Sequence, residues 1–446
     1  MVRVAINGYG RIGRIAHRVI LEKFYKQIEI AAINAGSSTD IKGWMYLLKY
    51  DTVYGPILAL DINYEEADSS SSADGSASSA DGSASTNKDQ IGMLVVDGVR
   101  IPVFSQKDPT LLPWKDLNID VVIESTGHFE TEEKLKAHIT AGAKAVVLSA
   151  PAKDDPSAGS GRGIPTYVLS VNADKYQGEP IINNASCTTN CIAPVAKIMV
   201  DAFGVEKVMM TTIHGYTSDQ RLEDGGHKDY RRARAAAENI IPTSTGATIA
   251  AAKTVPELNG IFAGLSIRVP VPVGSLSDFT FVLKRETTKE EVNEALKKAS
   301  QSTLFSGILA VTEDPIVSSD IIGSSYSSIV DLSLTQVMGN LVKVVAWYDN
   351  EYGYANRLVE EVLMVGNRNQ SQPQAGSSVQ PQSEPAVSGS EQSQQGQASP
   401  VQDQVPSAPS FLAPDLSQVQ NSASLASLSR SGSADEPAPQ NNDQTY

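Results

Sequence analysis

Cysteine is nearly absent from this chain of 446 residues, where only Cys187 and Cys191 occur, four positions apart. A structural disulfide framework is therefore excluded, and a reducing compartment fits. No apolar run reaches the roughly 18 residues that a membrane span requires. The opening Val2-Arg3-Val4-Ala5-Ile6 is a strand pattern, without the apolar stretch and cleavage site of a secretion signal. Those absences predict a cytoplasmic protein. Basic charge is also in short supply, with 36 Lys and Arg against 51 Asp and Glu, a net −15. Such a balance disfavours sequence-independent binding to nucleic acid or to anionic membranes, and neither is expected as a partner. No metal site is assigned. Histidine is limited to five residues, so imidazole chemistry has few candidates.

The acidity is uneven. Residues 65–90 hold six acids against one Lys, and residues 367–446 hold seven acids against two Arg. Within the first segment, Ser71–Ala77 and Ser78–Ala84 are the same heptapeptide in tandem, Ser-Ser-Ala-Asp-Gly-Ser-Ala. Such a run has too little apolar surface to offset its ordering entropy, which predicts a flexible surface insertion at 66–90. The flanking segments 57–64 and 92–104 alternate like two strands of a hairpin, whose connection the insertion lengthens. After Gly366 the composition turns to Gln, Ser, Pro and Asn, which predicts a disordered tail over 367–446. The length that remains suits two or three domains.

Residues 1–34 read as strand Val2–Asn7, helix Arg14–Tyr25 and strand Glu29–Asn34, a βαβ unit that implies a parallel sheet. Further strands are expected at Ile119–Glu124 and Ala145–Ser149, with a helix at Thr131–Ala141 between them. Gly8-Tyr9-Gly10-Arg11-Ile12-Gly13 joins the first strand to the first helix and matches GxGxxG. Its glycines allow a tight turn and close backbone approach, with the helix N-terminus facing a pyrophosphate. The carboxylate expected after the second strand, which would bind the adenosine ribose 2′-OH, is missing. The strand ends Ile33-Asn34-Ala35-Gly36-Ser37-Ser38. A 2′-phosphate is no longer repelled there, and Ser37 or Ser38 can donate hydrogen bonds to it. Asp40 stands near enough to reach a ribose, so both NAD and NADP remain open. From Cys187 to about Asp349, strand runs at Lys207–Ile213, Leu265–Val271, Asp278–Arg285 and Asn340–Trp347 predict a mixed or antiparallel sheet.

In Ala185-Ser186-Cys187-Thr188-Thr189-Asn190-Cys191 a small polar run precedes an apolar helix, Ile192–Val200. Cys187 is placed near that helix's N-terminus, where the dipole favours a thiolate. Cys191 falls one turn further in and reads as an inert buried residue. A thiol nucleophile needs a base. His17 and His138 fall on expected surface helices, and His128 and His227 in loops. His214 follows the apolar strand Val208–Ile213, where sites are usually built, and is the favoured partner.

With those stretches in hand, residues 1–366 resemble the phosphorylating glyceraldehyde-3-phosphate dehydrogenases throughout, apart from the insertion. The resemblance rests on Ser186–Cys191, His214–Gln220, Arg231-Arg232-Ala233-Arg234, Ser244-Thr245-Gly246-Ala247, Arg268-Val269-Pro270-Val271-Pro272 and Trp347-Tyr348-Asp349-Asn350-Glu351. It implies that Cys187 is the nucleophile and His214 its base. It implies that Ser186, Thr188, Thr217, Arg232, Thr245, Gly246 and Arg268 hold the substrate phosphate and inorganic phosphate. Gly8, Gly10, Arg11, Ile12, Gly13, Lys107, Ser149 and Asn350 would contact NAD or NADP. The fold implied is a Rossmann-type α/β dinucleotide-binding domain, residues 1–186 with 351–366, and an α+β catalytic domain, residues 187–350. The assembly implied is a homotetramer, acting on glyceraldehyde 3-phosphate and inorganic phosphate. Two departures stand out. Ala35 replaces the acid of NAD-specific members, and Gly225-Gly226 replaces a bulkier pair; both are expected to open the ribose site to NADP. The competing readings are an erythrose-4-phosphate dehydrogenase, which shares the cysteine and histidine, and a surface or binding role in addition to catalysis.

Overall fold

The computed structural model describes residues 1–67, 89–153 and 163–371. The tandem heptapeptides and the tail from 372 lie outside the described residues. The chain opens with β1 (Val2–Asn7), α1 (Arg11–Val19) and β2 (Ile28–Asn34), then α2 (Ile41–Lys49), β3 (Ile62–Glu66), β4 (Gln90–Val96), β5 (Val99–Phe104), β6 (Val121–Glu124), α3 (Glu132–Thr140), β7 (Ala145–Leu148) and β8 (Ile181–Asn183). These strands form one sheet in the order β3-β4-β5-β2-β1-β6-β7-β8. From β5 to β8 every pairing is parallel, while β3 and β4 join antiparallel at one edge. Chain order reverses beside β1, so the C-terminal ends of β1, β2 and β6 open onto a crevice, the place where α/β sheets bind ligands.

The run 92–104, read as one strand, is two. Asp97 and Gly98 both take positive φ, 47° and 79°, and Val96 pairs with Val99 across them. A two-residue turn of that hand matches strand twist and folds the segment back on itself. The first helix begins at Arg11 rather than Arg14, and after Val19 it widens into a π-turn over Ile20–Phe24.

The second sheet is built from β9 (Val205–Gly215), β10 (Ile241–Ser244), β11 (Phe262–Val269), β12 (Ser275–Leu283), β13 (Leu309–Thr312), β14 (Ser328–Asp331), β15 (Gln336–Met338) and β16 (Leu341–Tyr348). Its order is β10-β11-β9-β12-β16-β14-β13, with β15 on β16. The sheet is mixed: β9–β11 and β13–β14 are parallel and the others antiparallel. Helices α4 (Cys187–Phe203), α5 (Ala247–Thr254) and α6 (Lys289–Ser300) accompany this sheet. The last helix, α7 (Tyr352–Ser371), runs beyond its expected end near 366 and buries Leu358, Val359, Val362 and Val365 in the core of the first sheet. Strands β10, β13, β14 and β15 escaped the sequence reading because three or four residues carry no usable periodicity.

Two histidines expected at the surface are fully buried. His17 Nδ1 bonds the Tyr9 hydroxyl at 2.7 Å, and burial pushes the ring down to about 3, so it stays neutral. His138 lies between the Trp114 indole N–H, 3.0 Å from Nδ1, and Glu124 Oε2, 3.1 Å from Nε2. The His138 ring is satisfied on both nitrogens by other segments, and the His17 ring on one, by the turn that opens its own helix.

The catalytic-side core is tightly stacked: the Phe279 and Phe281 rings lie 5.4 Å apart, inclined by 12°, and both are fully buried. Phe279→Ala is expected to lower the free energy of unfolding by about 3–5 kcal/mol, to be measured by urea denaturation.

Candidate active site

The crevice at the first sheet contains a cavity of about 470 Å³ lined by Asn7, Gly8, Gly10, Ala35, Ser37, Lys107 and Thr126, among others. Gly8 takes φ +95°, and a Cβ there would stand 2.6 Å from the Thr126 nitrogen, so only glycine lets β1 end against the segment after β6. A Cβ on Gly13 would meet the Gly8 carbonyl oxygen at 2.3 Å, so glycine also seats α1 on the turn. At Gly10 a Cβ would project into open space, with no atom within 4 Å. That cradle fits a dinucleotide lying against the first turn of α1. Asp40 does not line this cavity. Its Oδ1 accepts from the Gly43 amide at 2.7 Å, capping α2. Ser38 Oγ accepts from the Trp44 indole at 3.0 Å, and Ser37 lines the cavity. Gly225 and Gly226, expected beside the ribose, lie in the segment between β9 and β10 and do not line this cavity within one chain.

A second cavity of about 770 Å³ is lined by Arg11, Ile12 and Ser149 from the first half of the chain, and by Cys187, His214, Thr217 and Asn350 from the second. Asn350 Oδ1 accepts from the Ser275 hydroxyl at 2.9 Å and the Gly274 amide at 3.1 Å. Its Nδ2 is thereby left for the cavity, the donor that a nicotinamide carboxamide requires. Arg11, expected at the cofactor, lines the cavity. Its guanidinium pairs with Asp51 and, from Nε at 2.7 Å, with Glu351 Oε2, leaving the backbone amides of the α1 start for an anion. Burial raises the Glu351 carboxyl, against the pull of Arg11.

Cys187 opens α4. Ser186 caps the helix, its Oγ accepting from the Thr189 amide at 3.1 Å, and Ala185 before it takes φ +54°. The helix starts at Cys187 rather than at Ile192, because the Ser186 cap draws the polar run into its first turn. Cys187 Sγ lies 3.4 Å from His214 Nε2, although the two are 27 residues apart in sequence. His214 is near the end of β9, and Arg268 stands directly opposite in the parallel β9–β11 register. Arg268 Nη1 is 2.7 Å from His214 Nδ1, which is also 2.6 Å from the Gly215 carbonyl oxygen. Carbonyl and guanidinium make opposite demands on Nδ1. When Nδ1–H donates to Gly215, Nε2 can accept the thiol proton. When Nε2–H faces a thiolate, Nδ1 accepts from Arg268.

Burial dominates the electrostatics. It pushes the Cys187 thiol up, against the opposing pull of the Arg268 charge, the Thr188 hydroxyl and the first-turn amides. Burial, joined by repulsion from Arg268, pushes His214 down to about 3. Helix start and cation favour the expected thiolate, and desolvation opposes it.

The expected anion-binding residues do not all converge. Thr217 lines the cavity. Gly246 caps α5, and Thr245 Oγ1 accepts from the Ala247 amide at 3.1 Å. Thr189 Oγ1 bonds both Ser186 Oγ, at 2.8 Å, and the Ala247 carbonyl, at 3.4 Å, so the starts of α4 and α5 lie side by side. The Thr188 hydroxyl bonds Tyr348, at 2.9 Å, and approaches the Cys187 sulfur at 3.9 Å, and Arg232 is paired with Asp219 and bonded to Thr243. Sequence reasoning passed over Tyr348, whose ring meets His214 edge-on with centroids 6.0 Å apart. It also passed over Gln220, whose Nε2 is buried without a partner among the described residues and which lines the cavity. Arg268 Nε is likewise unpartnered. Of these two unused donors, that of Gln220 belongs to the cavity wall.

A dinucleotide-binding oxidoreductase, with a cysteine and a histidine in contact at its reaction cavity, is the class that fold and site define. Family comparison narrows it. The family model "Glyceraldehyde 3-phosphate dehydrogenase, NAD binding domain" matches residues 2–76 and 72–132, and its "C-terminal domain" counterpart matches 186–350. The chain is 48% identical over 370 residues to the glyceraldehyde-3-phosphate dehydrogenase 2 of Streptomyces avermitilis, covering 82% of this chain and 99% of that one. It is 47% identical over 370 residues to the glyceraldehyde-3-phosphate dehydrogenase of Streptomyces coelicolor, with the same coverage, and 46% to that of Mycobacterium avium, covering 82% and 98%. The chain belongs to the glyceraldehyde-3-phosphate dehydrogenase family, and it is an enzyme that uses a nicotinamide dinucleotide. No helix among the described residues is long and apolar enough to cross a membrane.

Removing the Arg268 charge withdraws support from the thiolate. Arg268→Met is expected to shift the pH profile of Cys187 alkylation by iodoacetamide upward by about one unit; an unmoved profile would mean that the cation does not act on the sulfur.

Proposed function

We propose that this protein catalyses the reversible, phosphate-dependent oxidation of D-glyceraldehyde 3-phosphate to 1,3-bisphosphoglycerate, with NAD or NADP as acceptor. It works in the cytoplasm as a homotetramer in glycolysis or gluconeogenesis, with dinucleotide domain 1–186 plus 351–366 and catalytic domain 187–350. The observation that carries this reading is the 3.4 Å approach of Cys187 Sγ to His214 Nε2 on the wall that Asn350 shares.

Cys187 passes its proton to His214, its sulfur attacks the aldehyde carbon, and His214 returns the proton to the developing alkoxide, giving a hemithioacetal and a neutral imidazole. An anion beside Arg268 offsets that cation, which otherwise opposes an imidazolium at His214. His214 takes up the hydroxyl proton as the carbon is oxidised. Held by Gly8, Gly10, the amides of Arg11 and Ile12, Lys107, Ser149 and Asn350, the nicotinamide dinucleotide supplies the two-electron acceptor. The acyl group is left on Cys187 as a thioester. Inorganic phosphate, held by Ser186, Thr245, Gly246 and the adjoining helix starts, attacks it and leaves as the acyl phosphate. Thr217 and Arg268 hold the substrate phosphate, and Arg232 supports the second anion site through Asp219. The thioester conserves energy that hydrolysis would dissipate, so a positioned phosphate must outcompete water.

Steady-state assay with glyceraldehyde 3-phosphate should show reduced cofactor forming only when phosphate is present. Cys187→Ser should lower kcat by about 10³-fold or more. A higher kcat/KM for erythrose 4-phosphate, without dependence on phosphate, would replace this reading.

NADP acceptance follows from the ribose site. Ala35 and Ser37 line it together with Lys107 and His128, and the nearby Asp40 is engaged as a helix cap. The ratio of kcat/KM values should therefore not favour NAD by as much as about tenfold, or 1.4 kcal/mol. Ala35→Asp should swing that ratio toward NAD by about tenfold or more, through repulsion of the 2′-phosphate.

A further inference from the structure

Glu361 lies on the buried face of α7 and has no role in the chemistry above. It is fully buried. One oxygen, Oε2, accepts from Asn184 Nδ2, and the other, Oε1, has no partner among the described residues. An apolar side chain would fill that place without the penalty of a half-satisfied carboxyl. Its position accounts for it. Asn184 precedes Ala185, the non-glycine residue at φ +54° that turns the chain into Ser186 and Cys187. Asn190 Nδ2 donates to the Asn184 carbonyl at 2.8 Å and to the Ser186 carbonyl at 3.1 Å, gripping the bend from inside α4. Tyr354, two helical turns before Glu361 on α7, donates its hydroxyl to the Ala185 carbonyl at 3.2 Å. Residues seven apart share a helix face, so α7 holds the bend at two points, Tyr354 and Glu361.

We propose that Glu361 is a positioning residue for Cys187: in its neutral form it holds the Asn184–Ala185 bend that aims the thiol at His214, and its ionisation, which tightens the pull on Asn184 and leaves the second oxygen unsatisfied, distorts that bend and sets an alkaline limit on the enzyme. The inference rests on Cys187 as nucleophile. Burial pushes the Glu361 carboxyl up to about 8, with only the Asn184 bond opposing it. The titratable groups around it are Tyr167 and Tyr176 from the segments flanking the start of β8, Tyr354 on its own helix, and Cys187 beyond Tyr354. Glu179 bonds the Tyr167 hydroxyl, and Arg368 stacks over the Tyr176 ring. None of these tyrosines ionises before Glu361, since burial raises all three. Once charged, the carboxylate has one donor for two oxygens, and it must draw in water or pull Asn184 out of the bend.

The sign of the linkage supplies an independent readout. The folded value lies above the ordinary 4.5, so the protein loses stability as pH rises from that value toward 8 and no further above it. Glu361→Gln removes the titration while keeping a carbonyl for Asn184. The Tm of the variant should gain on wild type across that interval and then hold level. The kcat/KM profile with glyceraldehyde 3-phosphate should fall on its alkaline side near pH 8 in wild type, and about one unit or more higher in the variant. Alkylation of Cys187 in the cofactor-free protein should show two inflections between pH 6.5 and 9.5 in wild type and one in Glu361→Gln. Glu361→Leu, which also cannot ionise, should give the same single inflection and serves if the glutamine variant folds poorly. Superimposable profiles for wild type and variants would overturn the proposal. If wild type fails to turn over glyceraldehyde 3-phosphate at all, the proposed reaction is wrong, and the alkylation inflections still decide the role of Glu361.

Discussion

Cys187 meets His214 because the first turn of α4 is set against the C-terminal end of β9, and the other functional features are arranged around that contact. Three restraints act on the thiol side: the left-handed bend at Ala185, the Ser186 cap and the side chain of Asn190. Two act on the imidazole side: the strand itself, flanked by β11 and β12, and the Tyr348 ring against its edge. Removing any one frees only part of the geometry, since the two residues arrive on different elements and are aimed separately.

The surroundings make the pair quiet at rest. A buried thiolate and a buried imidazolium are each penalised, and Arg268 helps the first while opposing the second. Proton transfer from sulfur to nitrogen therefore depends on what occupies the cavity. An anion near Arg268 shields the imidazolium, and the unpartnered Nε2 of Gln220 on the cavity wall is a donor such an anion would satisfy. Under the proposed reaction the substrate phosphate thus helps to activate the residue that attacks its own aldehyde.

The glycine turn, the thiol at a helix start and the histidine at a strand end were all legible, because each is written in a few adjacent residues. Asp40, near enough in sequence to reach a ribose, caps the next helix; a carboxylate two residues past Ser38 looks alike in either setting, and only the start of α2 at Ile41 separates the two. His17 and His138 were misplaced at the surface because the Tyr9 hydroxyl and the Trp114 indole that receive them cannot be paired with them by periodicity. Thr188, expected at an anion site, shares its hydroxyl with Tyr348, a strand end 160 residues away.

Local sequence determined the elements, the cofactor turn and the identity of the two reacting side chains, since helix caps, glycine turns and strand alternation depend on neighbours within a turn or two. Tertiary structure decided how those side chains are charged and aimed. Arg268 reaches His214 across 54 residues and Glu361 reaches Asn184 across 177. The burial that opposes the expected thiolate is produced by segments from both halves of the chain. Desolvation and cross-strand register are properties of the packed molecule, so no stretch of sequence carries them alone.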